Sequence, residues 1–408
     1  LILTERHLIT PKHKHFKEID NLSFLSKNLY NQANYRIRQA FTNKENPRYV
    51  NFYEIQRELQ NKKQIDYISL PTKVSQQILI KLHDNWNSFF KANKDYSKTP
   101  SKYLGKPKLP KYKDIKNGRN IVIYTSQAIS SKELKNGIIK LSKSNVRIKT
   151  KVKDTTKIKE VRIIPRLNSY YIEVAYEIEE KIKEHKDKEI VMGIDLGVNN
   201  LCTIATTNND KLLINGRPLK SMNQYYNKKK ADLQSRLPKN QFKSKQLTKL
   251  TNKRNNKIDN YLHKTSKFII DYCLTNNVDK IVVGKNINWK QEVNIGKKNN
   301  QNFVNIPHAR LIQMIEYKAK LEGIEFIVTT EEYTSKCSFI DNEIIGKHDE
   351  YCGKRIKRGL FKTKEDYLIN ADINGAFNIL RKATPNFNIQ NIENGVEVTV
   401  VSPLKVTL

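Results

Sequence analysis

The chain has little cysteine, comparatively few carboxylates and no long apolar run. Its four cysteines, Cys202, Cys273, Cys337 and Cys352, are scattered through 408 residues. That excludes a disulfide framework and points to a reducing, cytoplasmic setting. No stretch of about eighteen apolar residues occurs, so no membrane-spanning helix is expected and no membrane partner. Leu1–Thr10 shows no charged-then-apolar leader, and no internal repeat is visible. Charge balance is missing too: 41 Asp and Glu face 75 Lys and Arg, a net charge of +34 spread along the chain. Such a field binds polyanions, and each neutralised phosphate releases counterions. Nucleic acid is the expected partner. A ribosome-associated structural protein would be equally basic, but it would need no ordered set of carboxylates. The 38% hydrophobic content is enough for the cores of two or three domains.

Leu1–Leu8 reads as a strand, and Leu22, Leu25, Leu29 and Ile37 keep helical spacing through Asn21–Phe41. A second helix starts at Pro71, with Val74, Ile78, Leu82, Trp86 and Phe89 on its buried face; these aromatics read as core before base-stacking platforms. Lys91–Lys113 reads as an exposed loop. Its Lys106, Lys108, Lys111 and Lys113, interleaved with Tyr and Pro, suit either a nucleic-acid backbone or a solvated linker. Alternation over Arg119–Ile178 predicts a β-barrel or sandwich, and Glu179–Lys188 a charged linker. Beyond it, strands at Ile190–Gly197, Leu201–Thr206, Lys211–Ile214, Lys280–Gly284 and Ile324–Glu332 alternate with helical patterns over Ser244–Tyr272, Pro307–Leu321 and Asn374–Arg381, an α/β layout. Candidate phosphate ligands in this half are Arg217, Lys220, Lys253, Arg254, Lys257, Lys285, Lys290, Arg355 and Arg358, although a solvated charged face explains a lysine-rich helix as well.

Three acidic positions bear on chemistry. Asp195 lies in the hydrophobic run Val191-Met192-Gly193-Ile194-Asp195-Leu196-Gly197, where a buried carboxylate needs a cation or hydrogen-bond donors; the plainer reading is a strand-end turn cap. Asp372, in Ala371-Asp372-Ile373-Asn374, opens a helix, where capping alone accounts for it. Glu331 and Glu332 end an apolar strand. Carboxylates brought together from separate strand and helix ends can hold two divalent ions about 3.5–4 Å apart for phosphodiester hydrolysis.

The ordered set Gly193-Ile194-Asp195-Leu196-Gly197, Ile281-Val282-Val283-Gly284, Tyr333-Thr334-Ser335-Lys336-Cys337 and Asn370-Ala371-Asp372-Ile373-Asn374-Gly375-Ala376 resembles the TnpB proteins of bacterial insertion sequences, RNA-guided DNA endonucleases related to type V CRISPR effectors and Fanzor proteins. The resemblance is specific from Val191 to Lys382. It implies an α/β RNase H-like (RuvC) nuclease domain, residues 186–336 and 365–384, and a wedge β-barrel, 1–14 and 115–185, interrupted by a helical recognition insert with a basic loop, 15–114. It also implies a degenerate zinc-ribbon-like insert, 337–364, and a C-terminal tail, 385–408. Asp195 and Asp372 match the family's first and third catalytic carboxylates, with Mg²⁺ or Mn²⁺ as the implied cofactor. Many members carry the second, a glutamate, just after the fourth strand, where this chain reads Val283-Gly284-Lys285-Asn286. A subset supplies it from the neighbouring strand, and Glu331 and Glu332 stand there. Strand alternation puts Glu332 on the face of Phe326, Val328 and Thr330 and Glu331 on the other, and the choice between them stays open. Cys337, His348 and Cys352 are possible zinc ligands, although free cysteines in a metal-less hairpin explain the same letters. The implied partners are a guide RNA from the transposon end and double-stranded DNA beside a short flanking motif, with the Tyr49–Arg57 segment and the Lys106–Lys113 loop as candidate readers. Oligomeric state stays open, and the implied location is the bacterial cytoplasm, at the nucleoid when DNA is bound. The alternative is a nuclease-inactive, RNA-guided DNA-binding regulator of transcription.

Overall fold

A computed structural model describes the chain apart from residues 155–156, 182–188, 243, 287–295, 297–299, 302–303 and 393–402. Lys290, the β-like segment Val396–Val401 and most of the expected linker Glu179–Lys188 lie outside the described residues. Two units result, Leu1–Glu179 and Glu180–Leu408.

In the first unit, strand β1 (Ile2–Ile9) is followed by helices α1 (Phe16–Phe41), α2 (Phe52–Asn61), α3 (Ile65–Ser69) and α4 (Thr72–Lys98). Apolar residues three to four apart give α1 and α4 their buried faces: Ile19, Leu22, Leu29 and Ile37 on one, Val74, Ile78, Leu82 and Trp86 on the other. Trp86 is fully buried and donates its indole N–H to Asn34 Oδ1 at 3.0 Å, so it is core. The exposed loop begins later than expected, because α4 runs on to Lys98. Its last turns lack an apolar face, yet Lys and Ala extend a helix already nucleated by the buried turns before them. The loop itself is strapped to α1 by Lys27, Asn31 and Asn34, which share one helical face. Asn31 exchanges two hydrogen bonds with the Lys113 backbone, Asn34 donates to Pro110 O at 2.9 Å, and Lys27 donates to Ile115 O at 2.7 Å. These side chains supply partners that a segment without its own ladder lacks.

The strands of this unit, β2 (Val122–Thr125), β5 (Ile158–Arg166) and β6 (Ser169–Glu177), join β1 in an antiparallel sheet of order β1-β6-β5-β2. Short helix α5 (Ser131–Lys135) precedes a separate ribbon of β3 (Ile138–Lys140) and β4 (Arg147–Lys149). The alternating segment therefore forms an open sheet plus a ribbon among the described residues. One face of the sheet shares a single core with the helices, Val161 and Ile172 clustering with Leu22 and Trp86.

The second unit is built on a six-stranded sheet of order β11-β10-β7-β8-β9-β15. Strands β7 (Val191–Leu196), β8 (Asn200–Thr206) and β9 (Lys211–Asn215) form an antiparallel meander. After helices α6 (Arg217–Ser235) and α7 (Lys245–Thr275), β10 (Lys280–Gly284) returns parallel to β7, and after α8 (His308–Leu321), β11 (Glu325–Thr329) lies parallel to β10. The crossover helices are what make a parallel order possible. A small sheet of β12 (Lys354–Lys357), β13 (Leu360–Lys362) and β14 (Leu368–Asn370) leads into α9 (Ala371–Ala383), and β15 (Leu404–Val406) pairs parallel with β9. Both sheet faces are buried, which accounts for the near-continuous apolar strands. Met192, Ile194 and Val283 pack with α7 and α8, whereas Val191 and Val282 pack with α9. Gly193 belongs to the α9 face: a β-carbon there would stand 2.4 Å from Ala376 O. By period two, Asp195 points to the same face.

The helix expected over Ser244–Tyr272 is α7, and α6 precedes it. One expectation is corrected: β11 stops at Thr329, so Glu331 and Glu332 lie in the turn beyond it and strand alternation does not apply to them. Among the described residues no helix is long and apolar enough to cross a membrane.

Candidate active site

Three carboxylates from three elements meet at one end of the sheet. Asp195 is the penultimate residue of β7, Glu331 follows β11, and Asp372 lies in the first turn of α9, where the Asn370 side chain accepts from the N–H groups of Asp372 and Ile373. Burial pushes the Asp195 carboxyl well above the usual carboxylate range, and the charges of Glu331 and Asp372 raise it further; Arg355 and the Leu196 N–H act against them. Asp195 Oδ2 lies 3.1 Å from the place where a β-carbon on Gly375 would stand, which sets it against the start of α9. Asp372 accepts from Asn200 Nδ2 at 2.9 Å on one oxygen and from Arg355 Nη2 at 2.9 Å on the other.

Glu331 is the member of the pair that enters the cluster; Glu332 is exposed. Burial raises the Glu331 carboxyl to about 7, against the field of Lys382, and its Oε1 is buried without a hydrogen-bond partner among the described residues. The turn that carries it is held from two sides. Asn286 Oδ1 accepts from the Glu331 N–H at 2.8 Å, and Lys382 Nζ donates to Thr330 O, Thr330 Oγ1 and Glu332 O at 2.9, 3.1 and 2.9 Å. Asn374 and Asn378 on α9 continue the anchorage: Asn374 donates to Cys337 O, and Asn378 donates to Thr334 O and Cys337 O. Gly284 explains where Glu331 fits. A β-carbon at 284 would stand 2.7 Å from Glu331 Cγ and 3.1 Å from its Oε1, so the glutamate side chain occupies the space that a side chain on the last residue of β10 would fill. Asn200, Asn286 and Lys382 were not singled out from the sequence, since an amide or ammonium contacting a distant turn has no local signature.

The other candidates divide. Cys337 is buried and stands with Glu343 and His348, their donor atoms all within 4.8 Å of one another. Glu343 takes the place expected for Cys352, which is exposed. Both Glu343 oxygens already accept N–H groups, from Ser338 at 2.7 Å and from Cys352 at 3.0 Å, so a carboxylate joins the two turns that carry the cysteines. Lys106, Lys108, Lys111, Arg217, Lys253, Lys257, Lys285 and Arg358 are exposed, while Lys113 and Lys220 are half-buried. Arg254 faces inward instead, donating to Asn223 Oδ1 and Asn305 O between helices, and burial lowers its proton affinity. In the first unit, a cleft of about 570 Å³ is lined by Tyr53, Lys73 and the amides of Gln56, Gln76, Gln77 and Gln127, among others.

The order β9-β8-β7-β10-β11, an antiparallel meander continued by two parallel strands, is an RNase H-like α/β arrangement with the acidic cluster at one end of the sheet. Residues 173–290 match the family model OrfB_IS605, described as a probable transposase, and residues 308–379 match the Cas12f1-like TNB domain. A TnpB-like protein of Methanocaldococcus jannaschii is 29% identical over 210 residues, 50% of this chain and 72% of that protein. A TnpB-like protein of Acidianus two-tailed virus is 24% identical over 406 residues, 90% of this chain and 83% of that one. The CRISPR-associated endodeoxyribonuclease Cas12f2 of a Micrarchaeota archaeon is 29% identical over 233 residues, 54% of this chain and 41% of its own length. Among solved structures, a Cas12f1–sgRNA–target DNA complex is similar at TM-score 0.38 and 16% identity, covering 93% of this chain and 100% of that one. The mini-RNA-guided endonuclease CRISPR-Cas_phi3 is similar at TM-score 0.47 and 10% identity, covering 94% and 92%. The chain is thus similar to TnpB proteins, through one relative over 50% of its length and through another over 90% of it.

Proposed function

We propose that the chain is a transposon-associated, RNA-guided DNA endonuclease that depends on Mg²⁺ (or Mn²⁺) and cuts beside a short flanking motif. The observation that carries the reading is the meeting of Asp195, Glu331 and Asp372 in a chain of net charge +34. Similarity to TnpB-like proteins and to a relative named as an endodeoxyribonuclease supports it. The cluster fits divalent cations: two of its three carboxyls are pushed towards protonation by burial, one of them by its neighbours as well, and a buried glutamate oxygen has no partner among the described residues.

Asp195, Glu331 and Asp372 would hold the ions. When bound, these supply water activation and stabilisation of the leaving oxygen. The chain's own residues do the positioning. Asn200 orients Asp372, Asn286 and Lys382 hold the Glu331 turn, and the exposed Lys253, Lys257 and Lys285 carry backbone phosphates. The Tyr53 cleft, lined by Gln56, Gln76 and Gln77 of the proposed 15–114 insert and by Gln127 of the wedge segment, is suited to reading flanking bases, since glutamine pairs with adenine edges. The 1–14 and 115–185 segments take the wedge role, 186–336 with 365–384 the nuclease, 337–364 the ribbon-like insert and 385–408 the tail.

The test is a plasmid library with randomised bases beside a guide-matched target, incubated with protein, co-expressed transposon-end RNA and Mg²⁺. Linear product that requires RNA, metal, Asp195 and Asp372 supports the proposal. Matched binding without any cut would overturn it in favour of a DNA-binding regulator, and cutting by both Asp195→Ala and Asp372→Ala would overturn the site.

A further inference from the structure

Arg355 stands on β12, whose four residues are all exposed. This strand is the far edge of the small sheet β12-β13-β14, and β14 ends at Asn370, the residue that caps the turn carrying Asp372. The same few residues of sheet thus present both an acid and a cation. Arg355 Nη2 donates to Asp372 Oδ1 at 2.9 Å, while the other carboxylate oxygen accepts from a neutral amide, Asn200. Its charge also opposes the upward pull that burial, Glu331 and Asp372 exert on Asp195. Three acids gathered in a partly desolvated site need a compensating charge, and a guanidinium keeps its charge under all ordinary conditions.

The pair is poorly sealed. The side chains of Arg355 and Asp372 remain 46% and 31% exposed, which makes it an exchangeable contact instead of a structural lock. Lys354, Lys357 and Arg358 are exposed on the same hairpin, so a guanidinium that leaves Asp372 stays within a phosphate-binding surface.

We propose that Arg355 is the resting counter-ion of the acidic cluster: it neutralises Asp372 while no divalent cation is bound, gives up that oxygen when one binds, and then turns to the phosphate of incoming nucleic acid. The inference rests on the metal-binding reading of the cluster given above. It makes Arg355 a competitor of the metal at one step and an ally of the substrate at the next, a combination that neither a purely structural arginine nor a simple phosphate ligand produces.

The experiment is Mn²⁺ binding to the full-length protein without RNA or DNA, read from the electron paramagnetic resonance signal of free Mn²⁺ at low ionic strength. Arg355→Ala, verified as folded by its circular dichroism melt, is expected to bind Mn²⁺ about two- to fivefold more tightly than the unaltered chain, with Arg355→Lys in between. Guided cleavage should slow in Arg355→Ala while the Mn²⁺ concentration for half-maximal rate falls. Unchanged or weaker Mn²⁺ binding by folded Arg355→Ala overturns the counter-ion role alone. Equal Mn²⁺ binding by the unaltered chain and an Asp195→Ala, Asp372→Ala double variant overturns the metal reading of the cluster, and this proposal with it.

Discussion

Adding one methyl group at position 284 tests how the cluster is packed. A β-carbon there would stand 2.6 Å from Ile379 Cδ1 and 2.7 Å from Glu331 Cγ, both closer than carbon atoms approach. The backbone has little freedom to retreat, because Gly284 pairs with Thr329 of β11 and Val283 pairs with both Ile194 and Val328. Strain therefore falls on two side chains, a fully buried isoleucine and the glutamate. Overpacking of this kind costs about 1–3 kcal/mol, and for a unit of this size each kcal/mol lowers the melting temperature by about 2–4 °C. Gly284→Ala should melt several degrees lower and lose cleavage, since Glu331 is the side chain with room to swing out. Ile379→Val removes the offending methyl and by itself costs about 0.5–1.5 kcal/mol. Combined with Gly284→Ala it should recover about 1 kcal/mol relative to the sum of the single changes. Thermal melts of the four proteins measure the cycle. Strict additivity, with Gly284→Ala costing under about 0.3 kcal/mol, would mean that the site is roomy and that Glu331 does not fill the space at the end of β10.

Glu331 also makes stability depend on pH. Its carboxyl is raised to about 7 in the folded chain, so the stability it contributes as a protonated group is full below about 4.5 and is lost as pH rises through 7, on the order of 3 kcal/mol for metal-free protein. Melts in EDTA at pH 5 and pH 8 should differ more for the unaltered chain than for Glu331→Gln; equal differences would refute the assignment. Asn378→Ala leaves Thr334 O and shares Cys337 O with Asn374 alone, and should lower the urea stability of the unit by about 1–3 kcal/mol; an unchanged midpoint would show that water replaces the amide. Replacing Lys253 and Lys257 together with Ala should reduce the salt slope of RNA binding by between about one and two, whereas Arg254→Ala should lower the melting temperature with little effect on that slope. The reverse pattern would place Arg254 on the nucleic acid.

Strands β7, β8 and β10 were legible because burial on both faces writes them as unbroken apolar runs, and Asp195 stood out as the charge within one of them. The order of motifs supplied Asp372 by the same kind of local signal. What escaped depends on contacts between distant segments. Strand β11 shares its apolar alternation with Thr330 and beyond, and only the grip of Lys382 and Asn286 on the following turn shows that the ladder has ended. Glu343 looks like any acidic loop residue until it is seen accepting N–H groups from both cysteine-bearing turns. Three-residue strands such as β15 carry too few positions for any periodicity, and the pairing of Leu404 with Leu212 is a matter of tertiary fit.

The cluster has a history in time as well as a place in space. Its acids come from positions 195, 331 and 372, and among the described residues the sheet beneath them also takes in a strand at residues 404–406. A ribosome adding about 5–20 residues each second releases Asp195 roughly ten to thirty seconds before Asp372. Throughout that interval the nascent chain already displays much of its basic surface while the acids that complete the cluster have yet to be made. An unfinished copy thus carries basic surface before it carries the complete set of acids.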